Sequence, residues 1–150
     1  MKKFQKTVIT MTAIFFSLVT SAQNFHFNKD HDALQVKNLE RSANFYKDIL
    51  KLKEIENGGL GSHIRWFQLN NSVQIHLIES EERTQKKKGI HMAFNTDKLE
   101  EFMDFLKSKN VHFENWPGEK NTTNDRPDGV KQIYFQDPDG YWIEVNDGKL

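Results

Sequence analysis

KQIYFQDPDGYWIEVN, residues 131–146, places Asp137-Pro138-Asp139-Gly140 between two runs rich in aromatic and β-branched side chains. Such a segment predicts a β-hairpin, with strands over 132–136 and 141–146 and the Asp-Pro-Asp-Gly tetrapeptide as its turn. In the returning strand Ile143 and Val145 share one face, and Trp142, Glu144 and Asn146 share the other. An unpaired buried carboxylate is costly, so a mid-strand Glu144 beside a tryptophan requires a partner. The chain offers histidines for that role.

Working outward, the sequence repeats itself. His31-Asp32-Ala33-Leu34-Gln35-Val36, followed by Asn38-Leu39-Glu40, returns as His91-Met92-Ala93-Phe94-Asn95-Thr96, followed by Lys98-Leu99-Glu100. Each copy starts as a short alternating strand, with histidine, alanine and an amide on one face and apolar residues on the other. A helix follows each strand. Leu39, Ser42, Ala43, Tyr46, Ile49 and Leu50 line one face of the first helix, capped by Asn38. Leu99, Phe102, Met103 and Leu106 line the second, with Asp97 and Glu100 spaced as a capping box. Further strands are expected over 52–56, 64–69 and 73–78, then over 111–115 and the closing hairpin. Each half is thus βαβββ, and the fold class is α+β. The charged segment 79–88 reads as a solvated linker, and 116–129 as a long polar loop.

The ends and composition set limits. Lys2, Lys3 and Lys6 precede an apolar run over 8–19, and Thr20-Ser21-Ala22 supplies small residues for cleavage, so residues 1–22 are expected to be a secretory signal peptide. The expected mature chain, 23–150, is one domain with halves at about 25–80 and 89–148, exported to the periplasm or secreted, with no membrane association after cleavage. Removing three signal lysines from 21 basic residues leaves 18 against 21 acids, a balance that points away from nucleic acid. The absence of cysteine excludes disulfides, thiolate zinc sites, cysteine nucleophiles and lipid attachment through cysteine.

His76 occupies the last strand of the first half, as Glu144 does in the second, and His31 and His91 begin equivalent strands. A pseudo-symmetric cup would gather all four on the face away from the helices. Three imidazoles and a carboxylate suit one divalent ion such as Zn, Ni, Mn or Fe, in an open site. His26, His63 and His112 fall outside this register. Arg65 and Arg126 are candidates for holding an anionic substrate, and Trp142, with Trp66, Phe67 and Tyr134, for lining a pocket.

Several of these segments resemble the vicinal oxygen chelate superfamily: 31–36, Asn38-Leu39-Glu40-Arg41-Ser42 with Phe45-Tyr46, Ile75-His76-Leu77, Gly89-Ile90-His91-Met92-Ala93-Phe94 and 135–144. That superfamily includes glyoxalase I, methylmalonyl-CoA epimerase, fosfomycin-modifying enzymes, extradiol dioxygenases and bleomycin-binding proteins. The resemblance implies two βαβββ modules in a cupped, incomplete eight-stranded barrel with helices outside. It also implies a homodimer, and His31, His76, His91 and Glu144 as metal-site positions; fosfomycin enzymes and extradiol dioxygenases use the equivalents of His31, His91 and Glu144 alone. The expected activity is that of a glyoxalase-like lyase or isomerase on a small substrate with vicinal oxygens, the metal serving as Lewis acid and Glu144 moving a proton. Fe(II) extradiol-type oxygenation and non-catalytic binding of a drug-like molecule are the alternatives.

Overall fold

The computed structural model describes residues 27–82 and 85–149. The expected signal peptide and His26 lie outside the described residues. Among the described residues, nine strands and two helices follow in order: β1 (His31–Val36), α1 (Leu39–Asp48), β2 (Lys53–Ile55), β3 (Ile64–Gln68), β4 (Gln74–Glu79), β5 (His91–Asn95), α2 (Leu99–Ser108), β6 (Phe113–Glu114), β7 (Asn124–Asp125), β8 (Lys131–Gln136) and β9 (Trp142–Asn146). Among the described residues, no helix is long and apolar enough to cross a membrane.

The two halves repeat one topology. The first sheet has the order β1-β4-β3-β2 and the second β5-β9-β8-β6, with β7 added beside β8. In each, the opening strand runs parallel to the last, β1 along β4 and β5 along β9, while the remaining pairs are antiparallel. A parallel pair needs a long crossover, and in each half the helix and intervening strands supply it. β7, two residues inside the loop expected over 116–129, was not foreseen.

Each sheet turns its apolar face to a helix. Leu34, Val36, Phe67, Ile75 and Leu77 are buried with Leu39, Ala43 and Tyr46 of α1. Ile133, Phe135, Ile143 and Val145 are buried with Leu99, Met103 and Leu106 of α2. Burying each large apolar side chain contributes about 1.5–3 kcal/mol, which fixes the register because a one-residue slip would expose the whole set. Phe45, Leu50, Met92 and Phe94 pack against both cores and join them.

The Asp-Pro-Asp-Gly turn clasps the halves. Asp137 Oδ1 accepts from the backbone N–H groups of Asp139 and Tyr141, at 2.9 and 2.8 Å, and Gly140 takes φ +86°, a left-handed conformation that glycine adopts without penalty. The remaining acceptors reach α1. Tyr46 donates to Asp137 Oδ2 at 3.0 Å, Ser42 to Asp139 Oδ2 at 2.5 Å, and Arg41 to the Pro138 carbonyl at 2.8 Å. Asn38 caps α1 as expected, its Oδ1 accepting from Arg41 N at 2.9 Å. The expected Asp97–Glu100 box does not form: Lys98 occupies the cap position of α2 without a side-chain bond, and its N–H donates to Thr96 Oγ1 at 3.1 Å.

Candidate metal centre

The strand register explains how the candidate ligands meet. Ala33 lies opposite His76, and Ala93 opposite Glu144. Paired residues share a face, so the repeated alanine leaves room for the longer side chain beside it to lean toward the histidine two residues earlier in the opening strand. The middle strands add a second correspondence, since Trp66 pairs with His76 and Tyr134 with Glu144. All these positions lie on the face away from the helices.

In the second sheet, Glu144 is 5% exposed and tied at both oxygens. Tyr134 donates to Oε2 at 2.8 Å and Asn146 to Oε1 at 2.7 Å. Burial and the bond to Glu144 raise the Tyr134 phenol well above its ordinary value, so it remains a donor at neutral pH. His91 Nε2 lies 3.1 Å from Glu144 Oε2, and its Nδ1 is 2.7 Å from the Lys88 carbonyl. That carbonyl can only accept, so Nδ1 carries a proton while Nε2 faces the Glu144 carboxylate.

In the first sheet, His31 Nδ1 is 2.6 Å from Asp30 Oδ2, which leaves Nε2 presented. His76 is held differently. Its ring stacks on Trp66 and on His31, with 4.1 Å between centroids in both pairs, and its Nε2 is 2.8 Å from Gln74 Oε1. Burial, and then the neighbouring His31, hold the His76 imidazole below its usual basicity.

The four expected ligands therefore stand as two pairs, His31 with His76 and His91 with Glu144. Among the described residues of one chain, no group of three or more His, Asp or Glu side chains is placed to hold one ion. Within one chain the two pairs lie on separate sheets, which share no strand pairing and are joined through their helix-side cores. In type the donors fit a divalent ion of the Zn to Mn range: imidazoles of His31 and His91 with one nitrogen fixed by a carboxylate or a carbonyl, and a carboxylate itself hydrogen-bonded.

The candidates for substrate contact separate. Arg65 shares the helix-facing side with Leu77, and its guanidinium is taken by Glu54, at 2.7 and 2.6 Å, and by Glu40, at 2.6 Å. The expectation that Arg65 holds an anion is thus replaced by a surface ion-pair network. Arg126 stands beside Glu144: Asp128 accepts from its Nε and Nη2 at 3.1 and 2.6 Å, while Nη1 lies 3.8 Å from Glu144 Oε1. Trp142 is on the Glu144 face, with Lys88 Nζ 4.8 Å from its ring centroid.

The charge pattern places Lys88 in a solvated linker, whereas in the structure it is held at the site. Its ammonium bonds Glu114 and donates to the Asn115 and Trp116 carbonyls, each at 3.1 Å, fastening the start of the 116–129 segment beside His91. Trp116 in turn sets its ring edgewise against His91 and Tyr134, at 6.4 and 5.5 Å between centroids. Nothing local in a run of three lysines distinguishes the one that reaches back over the sheet.

The chain belongs to the Glyoxalase/Bleomycin resistance protein/Dioxygenase superfamily, whose family model matches residues 28–145. Among its relatives, the metallothiol transferase FosB of Staphylococcus saprophyticus is 31% identical over 127 residues, spanning 81% of this chain and 77% of that protein. Among solved structures, a glyoxalase family protein from Bacillus anthracis is 25% identical with a TM-score of 0.69, covering 85% of this chain and all of that one. The fosfomycin resistance protein FosX of Listeria monocytogenes, solved with Mn(II) and 1S,2S-dihydroxypropylphosphonic acid, is 21% identical with a TM-score of 0.68, over 84% of this chain and 95% of that one.

Proposed function

We propose that this chain is a metal-dependent enzyme that works as a homodimer. Each site holds one divalent ion between the open face of one protomer's first sheet and the open face of the partner's second sheet. The observation that carries this reading is that His31 and His91 are held alike, each by Nδ1 on an acceptor, on separate sheets whose described residues gather no three ligands within one chain. When bound, the metal supplies Lewis acidity to a small substrate that chelates it through neighbouring oxygens.

The protein groups favour nucleophilic addition to such a substrate over carbon-to-carbon proton transfer. Glu144 has both oxygens bonded, which suits a fixed ligand better than the mobile base a glyoxalase-like lyase or isomerase needs. Arg126, oriented by Asp128 on one edge and with Nη1 3.8 Å from Glu144 Oε1, is placed to meet a carboxylate or phosphonate of a substrate held beside Glu144, and Trp142 walls the same face. The similarity to FosB supports an electrophile opened by a thiol. Should residues 1–22 export the chain, water is the nucleophile at hand.

Fosfomycin, a phosphonate-bearing epoxide, is the first probe. Addition of a thiol or water to an epoxide carbon breaks the C–O bond, and the released alkoxide takes a proton. We expect a new 31P resonance when fosfomycin is incubated with Mn(II)-loaded protein and either a small thiol or water alone, and none with Glu144→Ala. An unchanged fosfomycin signal, together with turnover of a hemithioacetal by the same preparation, would restore the lyase or isomerase reading.

A further inference from the structure

Trp66, His76 and His31 form one pile of rings on the open face of the first sheet, His76 in the middle. Trp66 and His76 are inclined by 4° and His76 and His31 by 14°, with 4.1 Å between centroids in each pair. An imidazole binds a metal with a lone pair that lies in the ring plane, at about 2.0–2.1 Å. Two planes about 4 Å apart and inclined by 14° meet only on the order of 16 Å away, far outside that bonding distance. While the pile stands, His31 and His76 cannot hold the same ion.

The contacts at the ring edges distinguish the two. His31 matches His91 in having Nδ1 tied to an acceptor, while His91 Nε2 faces Glu144 Oε2 at 3.1 Å. His76 has aromatic rings against both faces, is 9% exposed, and has its Nε2 engaged by the Gln74 amide. We propose that His76 is a positioning residue rather than a ligand. It is a flat plate that transmits the fixed plane of Trp66 to His31 and so aims His31 Nε2 across the dimer at the site completed by His91 and Glu144. This inference rests on the metal reading and sharpens it: three protein ligands remain, two imidazoles and a carboxylate, and coordination positions stay open for two oxygens of a substrate.

The test is a Co(II) titration followed by visible absorption, with thermal melts of every variant. His76→Phe, which keeps a plate and loses both ring nitrogens, is expected to bind about one equivalent per chain with the wild-type band. His76→Ala and Trp66→Leu, which remove the plate or its support, are expected to weaken binding by about 10–100-fold while the band keeps its position, the size of effect found for partners of metal ligands. His31→Phe should abolish the band. A His76→Phe protein that melts like wild type and loses or shifts the band would overturn the proposal. The same question can be asked without substitution: in long-range 1H–15N spectra of the Zn(II)-loaded protein, one nitrogen each of His31 and His91 should move to metal-bound values while both of His76 stay. A metal shift at His76 would also overturn it. A wild-type protein that takes up no Co(II) or Zn(II) would instead overturn the metal reading itself, and the plate's role with it.

Discussion

Asp137 shows how burial weakens an acid held in a turn. Its carboxyl is pushed up from 3.8 to about 6, chiefly by loss of solvent, although the Tyr141 and Asp139 N–H groups and the Tyr46 hydroxyl all favour its charged form. A carboxyl whose pKa is raised in the fold holds its proton more tightly there. Its contribution is present below about pH 4 and is lost as pH climbs through about 6, amounting to about 3 kcal/mol across that window. Asp137→Asn should therefore flatten the stability profile: denaturant melts from pH 4 to pH 7 should show wild type losing about 2–3 kcal/mol more than the variant. Parallel profiles would mean that the buried carboxyl is already charged at pH 4. Tyr46, forced further from ionisation by burial and by Asp137, stays a donor throughout. The same clasp ties α1 to the β8–β9 turn, so a single titration affects the junction of the two halves.

At the level of elements, the repeat made the strands and their faces legible. His31, Ala33, His91 and Ala93 recur at one spacing, and the register confirms that each alanine faces the long side chain of the last strand. Helix α1 was also legible, because Asn38 is an efficient cap and Arg41 N is in place to donate to it. Asn38→Ala should cost about 1 kcal/mol, read as a shift in denaturant midpoint with unchanged slope; no shift would show that the clasp alone holds the helix start. The start of α2 was misjudged because Asp97 and Glu100 have the right spacing but Lys98 takes the cap position and Thr96 supplies the acceptor. β7 escaped because two residues, Asn124 and Asp125, carry no period. Lys88 escaped because its role depends on carbonyls of Asn115 and Trp116, which are distant in sequence and come close only in the fold.

At the scale of the whole molecule, the sequence nominated candidate ligands but not which halves face each other. Pseudo-symmetry is equally compatible with a cup closed within a chain and with one closed between chains. Phe45, Leu50, Met92 and Phe94 join the helix-side faces of the two sheets within one chain, and the proposed dimer pairs the ligand-bearing faces. Arg65 was misplaced for a related reason: alternation along a strand assigns it a face, but only the fold shows Glu40 of α1 and Glu54 of β2 waiting on that face.

The central claim is a site shared between two chains, with His31 from one and His91 and Glu144 from the other. Its most direct test is metal content in a heterodimer of His31→Ala and Glu144→Ala chains, purified through two different tags. Each variant alone should bind no metal. In the mixed dimer one site carries both lesions and the other none, so about one ion per dimer should return. A mixed dimer as empty as its parents, formed from chains that each fold, would place the ligands within a single chain and contradict the account.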